Sequence, residues 1–265
     1  MYFMQPLSFS RIFTEKLTDK NMKNLVLGFF LILFACQAEA QETETRSLSD
    51  FTSVSSSQSI RVTLKKGSEP KVDVSTTGEL EDVVTEVNNG NLKIEMESNM
   101  TFRNVEVEVT VYFQELESLK ASSSSRMMSE DLIEANNMEI KGSSSARMDL
   151  NIKASNIEVS GSSSARIALS AEAVNVEAQV SSSCRFTLEG NSENFEAQVS
   201  SSARIQASEF TCDNADLAAS SSGRIELNVQ EKLIAKASSS GKITYGGKPA
   251  LVDANTGSGG KVSRM

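Results

Sequence analysis

A basic side chain returns at nearly constant spacing through the second half of the chain. Each copy follows a serine-rich phrase such as Ser162-Ser163-Ser164-Ala165, and successive copies lie 18 to 21 residues apart. The basic column consists of Arg126, Arg147, Arg166, Arg185, Arg204 and Arg224, with Lys242 and Lys261 at the matching places. A guanidinium is a planar fork of donors that suits carboxylate and sulfate. Evenly spaced guanidinium groups therefore suggest an extended anionic polymer, such as an acidic polysaccharide, or the acidic surface of another cell-surface protein or of a second copy.

The alternative is a solvated stripe with no ligand. Stacked strands lie about 4.8 Å apart, and at that distance two unit charges in water repel by only about 0.9 kcal/mol. Salt weakens this repulsion further, so the column is tolerable on its own.

Catalytic chemistry finds little support in the composition. The chain has no His, so its many Ser residues lack the commonest base. A carbohydrate-active enzyme, a lyase or hydrolase, stays open as the alternative function, but its site requires a local carboxylate cluster that interrupts the repeat. The acidic column Glu139, Glu158, Glu177, Glu196 and Asp216 supplies one carboxylate per repeat. Calcium prefers clustered oxygens, so we expect no metal and no cofactor.

The repeat predicts a solenoid of stacked coils of about 19 residues, because such short units bury their apolar faces only against one another. Apolar residues fall at odd offsets from each Arg, and strands alternate faces with period two. Odd positions are therefore expected to face inward and even positions, Arg included, to face solvent. By the same rule Ser163 and Ala165 face inward at a tight corner with stacked hydroxyls, as do the equivalent serines Ser144, Ser182, Ser201 and Ser221. A column of Asn137, Asn156, Asn175, Asn194 and Asn214 suggests a second turn with left-handed backbone and stacked amides.

The segment before the repeats has a different rhythm and is expected to cap the first coil. Alternating patterns predict strands at 60–64, 72–74, 92–96 and 105–109. Leu80, Val83, Val84 and Val87 recur at helical spacing from Glu79 onward. The predicted architecture is thus an all-β parallel β-helix with an N-terminal β-rich cap and first coils at 41–119, continuous with repeats at 120–265.

The first 40 residues are predicted to be removed from the mature protein. Residues 1–21 are interpreted as an upstream mis-start, and 22–40 as a signal peptide with cleavage after Ala40. A lipoprotein acylated at Cys36 is the alternative. Both place the protein outside the cytoplasm, in the periplasm, outer membrane or cell surface, with no transmembrane span in the mature chain. The net charge of −9 argues against a nucleic-acid partner.

Cys184 and Cys212 occupy different points of the coil's cross-section. Two free thiols, rather than a disulfide, are therefore expected.

Several phrases resemble the head domain of bacterial auto-transporter adhesins, the GIN or DUF2807 family. They are Phe51 through Ile60-Arg61-Val62, Gly67-Ser68-Glu69-Pro70, Gly90-Asn91-Leu92-Lys93-Ile94, and the serine-rich repeats. The resemblance implies a right-handed β-helix, exported by bacteria related to Bacteroides, without established enzyme activity. The family's usual repeat is closer to Gly-Ser-Gly-Asp, which only Gly257-Ser258-Gly259 keeps here, and the family supplies no binding residues.

Overall fold

The computed structural model of the protein describes residues 41–97 and 105–265, and nearly all of this is strand. The predicted signal segment and Cys36 lie outside the described residues. The first strands are β1 (Glu42–Ser47), β2 (Ser53–Ser56), β3 (Arg61–Lys66), β4 (Lys71–Thr76), β5 (Val83–Asn88), β6 (Asn91–Met96), β7 (Val107–Phe113), β8 (Ser118–Ala121) and β9 (Arg126–Ser129). The later strands are β10 (Ile133–Gly142), β11 (Arg147–Gly161), β12 (Arg166–Val180), β13 (Arg185–Val199), β14 (Arg204–Ala219), β15 (Arg224–Ala237), β16 (Lys242–Gly247), β17 (Leu251–Thr256) and β18 (Lys261–Arg264).

The repeats stack as a parallel β-solenoid, as the period predicts. β11, β12 and β13 pair side by side in parallel, with Arg147 opposite Arg166 and Arg166 opposite Arg185. In β11 and β12 the pairing skips one residue, Ser155 and Val174 respectively, so each long strand bends there and continues on a second face. The described residues contain no helix with the length and hydropathy needed to cross a bilayer.

The core is the continuous stack of inward side chains at the odd offsets. Ile167, Phe186 and Ile205 lie directly over one another and are at most 1% exposed. The alternation prediction is therefore confirmed in the strands, where successive side chains point to opposite faces. Tyr245, in the same apolar column as Leu227, is only half-buried.

The serine corner is built differently from the prediction. Ser163 has φ 49° and Ser164 φ 62°, and the Ala165 N–H donates to the Ser162 carbonyl at 3.0 Å. Two consecutive left-handed residues within a four-residue turn define a type I′ turn. Alternation stops where the chain leaves the strand, so Ser163 is exposed while Ala165 is buried. The inward assignment is equally wrong for Ser144, Ser182, Ser201 and Ser221.

Backbone groups, rather than stacked hydroxyls, connect one corner to the next. The Ser164 N–H donates to the Ser182 carbonyl at 3.0 Å, and the Ser183 N–H donates to the Ser201 carbonyl at 3.0 Å. The same bond recurs from coil to coil, from Ser124 through to Ser240. Since the hydrogen bonds come from the main chain, the side-chain hydroxyls of these turns remain at the surface.

In the cap, the order of the coils along the stack differs from their order in the sequence. β2 pairs in parallel with both β6 and β8, and β3 pairs with both β7 and β9. The coil made by β2 and β3 therefore lies between two coils that come later in the chain. On the outer side, β4 runs antiparallel to β7, and β1 runs antiparallel to β4.

The helix expected from Glu79 onward does not form. Leu80–Asp82 make a single 3-10 turn, and β5 then forms an antiparallel hairpin with β6. The hairpin turns at Asn89 (φ 50°) and Gly90 (φ 74°). Val83, Val84 and Val87 are β-branched and favour strands. Pairing with the edge of β6 satisfies the backbone of this segment as a strand, so it does not form the helix that its apolar spacing suggests.

Candidate anion-binding groove

Each predicted site arginine is the first residue of its strand. Arg126, Arg147, Arg166, Arg185, Arg204 and Arg224 open β9 and β11 to β15, immediately after the turn of the serine corner. Each stands directly opposite the next in the parallel register, and all six side chains are exposed. The structure thus brings the whole predicted set into one column, which we call the Arg ladder. Lys242 and Lys261 extend it.

Arg61 in β3 lies opposite Arg126, in register with the Arg ladder, and was not predicted from the sequence. The phrase before it, Ser57-Gln58-Ser59-Ile60, was a usable signal. Gln58 (φ 57°) and Ser59 (φ 65°) form the same left-handed pair as the later serines, and Ile60 is buried at the place of Ala165. Gln58 in place of a serine, and Ile60 in place of a small residue, hid this copy of the repeat.

Arg61 differs from the six arginines of the Arg ladder because carboxylates compensate it. It forms ion pairs with Glu108 at 2.7 Å and Glu106 at 3.2 Å. The hydrogen bond with Glu108, followed by that with Glu106, raises the pKa of the Arg61 guanidinium above its ordinary value. Within 41–97 and 105–265, no member of the Arg ladder forms such an ion pair.

A groove of about 590 Å³ follows the cap-proximal part of the Arg ladder. Arg61, Arg126, Arg147, Arg166 and Arg185 line one side. The other side is formed by the outward residues two places further along each strand, namely Thr63, Met128, Asp149, Ala168 and Thr187. Glu108 closes the end next to the cap, while Arg204 and Arg224 continue the ladder beyond the groove.

The middle of the Arg ladder is the least compensated part. Asp149 lies two places after Arg147, and Glu226 two places after Arg224. The corresponding neighbours of Arg166, Arg185 and Arg204 are neutral: Ala168, Thr187 and Gln206. Three consecutive coils therefore present positive charge without a carboxylate in the adjacent outward column, which favours an anion there.

A second face carries the predicted Asn and acidic columns. The side-chain amide of Asn156 donates to Asn137 at 2.8 Å, and the same bond recurs at Asn175, Asn194 and Asn214 at 2.8 to 3.1 Å. The predicted stacking is confirmed, but these residues lie in strands and not in left-handed backbone. Within the stack, Asn156, Asn175 and Asn194 each donate one side-chain hydrogen bond and accept another, which leaves one N–H of each amide free for solvent or a ligand.

The acidic column is mostly solvated. Glu158, Glu177, Glu196 and Asp216 are exposed. Glu139 is half-buried, and the hydrogen bond from Lys141, with a smaller one from Ser118, lowers the pKa of its carboxyl. In the part of the chain that the structure describes, no group of three or more potential ligands is arranged to hold a metal ion.

The two thiols of the described residues, Cys184 and Cys212, are free, as predicted, and both are buried. Burial raises the pKa of Cys184 to about 11 and that of Cys212 to about 12. A thiol that stays protonated is neither a nucleophile nor a metal ligand at neutral pH. These residues therefore fill the core rather than form a site.

Comparison with known proteins agrees with this architecture. The family model described as "Putative auto-transporter adhesin, head GIN domain" matches residues 50–185 and 142–249. The chain belongs to this GIN head-domain family. No curated protein matches the chain.

Solved structures with this fold include proteins from Parabacteroides species. A "putative adhesin" from Parabacteroides merdae superposes with a TM-score of 0.77 at 17% identity, over 85% of this chain and 96% of that one. A "putative lipid binding protein" from Parabacteroides distasonis superposes with a TM-score of 0.74 at 21% identity, over 85% of this chain and 96% of that one. At these identities the likeness shows the shared fold of the GIN head domain.

Proposed function

We propose that this GIN head domain is an exported, non-enzymatic adhesin-like module that binds acidic glycans through the Arg ladder. The observation that carries the proposal is the six arginines without carboxylate partners in the described residues, on a chain whose net charge is −9. Such a positive column on an acidic protein attracts extended anions while the remaining surface repels them. The family to which the chain belongs supports an adhesin-like role at the cell surface.

The regularity of the surface supports binding rather than catalysis. A glycosidase positions two carboxyl groups within several ångströms of one bond, one as acid and one as base or nucleophile. Here the carboxylates of the acidic column repeat once per coil, as the arginines do. A repeating surface presents the same contact many times, which suits an extended ligand and raises avidity.

Export follows in the same proposal from the basic, apolar and small-residue order of 22–40. Mass spectrometry of the protein recovered from its native envelope is expected to find Gln41 at the amino terminus. A diacylglyceryl group on Cys36 would instead establish a lipoprotein and contradict cleavage at Ala40.

A glycan array tests the proposed activity directly. Purified protein beginning at Gln41 is expected to bind acidic glycans, to lose binding as salt increases, and to ignore neutral glycans of the same backbone. Equal binding to neutral glycans, or release of shortened glycans during incubation, would refute the proposal, and the second result would establish an enzyme.

A further inference from the structure

We infer that the Arg ladder recognises a homopolymeric polyuronate that lies along the solenoid axis, with one carboxylate opposite each coil. This inference rests on the proposed function and names its ligand. It assigns the site to glycans in which every sugar carries a carboxylate, as distinct from sulfated glycans or those with a charge on alternate sugars.

The Arg ladder is more regular than the sequence that builds it. Coil lengths vary from 18 to 21 residues, yet each Arg stands opposite the next. The differences in length are absorbed downstream of the arginines. Register shifts follow Thr187, Ala207 and Cys212, and pairing at Arg185, Arg204 and Arg224 is undisturbed. The charges therefore repeat at the spacing of neighbouring strands, about 4.8 Å.

The spacing of the Arg ladder matches the repeat length of a polyuronate. In a 1,4-linked polyuronate, each sugar adds one carboxylate and extends the chain by a length similar to the rise of one coil. Successive sugars are rotated about the polymer axis, so their carboxylates lie on different edges of the chain. The arginine side chains are long and exposed, and they can reach a carboxylate on either edge of a polymer that lies along them. A glycan with one uronic acid per disaccharide would leave every second Arg unmatched.

The surface beside the Arg ladder is mainly uncharged along its centre. Along the centre of the Arg ladder the neighbouring outward residues are Ala168, Thr187 and Gln206, which do not repel a carboxylate. Met128 is half-exposed at the cap end of the groove and offers an apolar contact to a sugar ring. The groove thus combines cations on one side with a mainly uncharged side.

The position of the ligand is limited at one end. Arg61 is in register with the Arg ladder, but Glu106 and Glu108 already hold its guanidinium. A polyanion that advanced past Arg126 would meet these carboxylates. The site therefore begins at Arg126 and runs over six arginines to Arg224, and Lys242 and Lys261 continue the positive column beyond them.

Oligogalacturonates from dimer to dodecamer test this geometry by calorimetry on the protein beginning at Gln41. Because each added sugar makes one more exposed ion pair, affinity is expected to rise about 1.4- to 5-fold per sugar. The rise is expected to level off between the hexamer and the octamer, where the six arginines and then the two lysines of the column end. Methyl-esterified oligomers remove the charges and are expected not to bind, and hyaluronate, with its alternating carboxylates, is expected to bind more weakly than a galacturonate oligomer of equal length.

Two variants locate the contact. Arg185→Gln divides the Arg ladder, so the hexamer is expected to lose severalfold more affinity than the dimer, which still finds adjacent arginines elsewhere. Lys232→Gln removes one exposed cation from another face of the same coil stack and is expected to change neither. Affinity that does not depend on oligomer length, or preference for a sulfated glycan, would overturn the polyuronate inference while leaving acidic-glycan binding intact. Failure of every acidic glycan would overturn both.

Discussion

The left-handed serines of the corner predict an unusual response to glycine. At the position two residues before each Arg, Ser145, Ser183 and Ser222 have φ of 63°, 63° and 64°. Left-handed backbone costs an L-residue roughly 1–2 kcal/mol, whereas glycine in place of a larger residue costs about 0.5–1 kcal/mol of additional chain entropy on folding. Ser→Gly at each of these sites is therefore expected to raise the free energy of unfolding by about 0.5 kcal/mol. The last coil already carries Gly259 at this place, with φ 77°.

The triple variant Ser145→Gly, Ser183→Gly and Ser222→Gly makes the effect measurable. The three sites lie on alternate coils, about 10 Å apart, so their effects should nearly add. A gain of about 1.5 kcal/mol corresponds to a rise in Tm of roughly 3–6 °C for a domain of this size, readily seen by circular dichroism.

A matched triple variant serves as the control. Ser143, Ser181 and Ser220, four places before the same arginines, do not have left-handed backbone. Glycine there only adds chain entropy, so the control triple is expected to lower the Tm. If both triples lowered the Tm equally, the strain assigned to the turn would be refuted.

Two further predictions concern the interior. Ile167→Asp places an unpaired carboxylate in the buried stack and should lower the free energy of unfolding by several kcal/mol or abolish folding. Ala168→Asp, on the outer face, should be tolerated. Equal losses of secondary structure in the two variants would contradict the assignment of Ile167 to the inside and Ala168 to the outside. Cys184 and Cys212, with pKa raised to about 11 and about 12, should resist alkylation in the folded protein at pH 8 and react once it is unfolded. These thiols ionise near pH 9 only in the unfolded chain. The free energy of unfolding should therefore be unaffected by them below pH 9 and should decline as pH rises from 9 towards 11. Rapid labelling of the native protein, or a free energy of unfolding that does not decline, would contradict their burial.

Much of the solenoid is visible in the sequence because its interactions are local and repeated. Within a strand, Arg166 and Ile167 must face opposite sides, so a periodic column of each type suffices to assign outside and inside. Stacking follows because the period is constant. The same reasoning placed all six site arginines on one column.

The sequence-based predictions fail where the backbone leaves the strand, and where pairing with a segment distant in sequence determines the local structure. Ser163 was assigned inward by counting through a turn whose left-handed residues end the alternation. Leu80 to Val87 have helical spacing, but pairing with β6 selected a strand. The coil of β2 and β3 lies between segments that follow it in sequence, an order that the local pattern of Arg61 and its neighbours does not contain.

Binding by the Arg ladder is the central claim, and a charge-matched pair of variants tests it most directly. One variant changes Arg166, Arg185 and Arg204 to Gln, and the other changes Lys153, Lys232 and Lys236, which lie outside the Arg ladder, to Gln. Both lose the same net charge, so long-range attraction is reduced equally. In calorimetric titration with polygalacturonate across a salt series, the arginine variant should bind at least about threefold more weakly and with a shallower salt dependence, while the lysine variant should retain nearly all of its affinity. Equal affinity in the two variants would contradict the account.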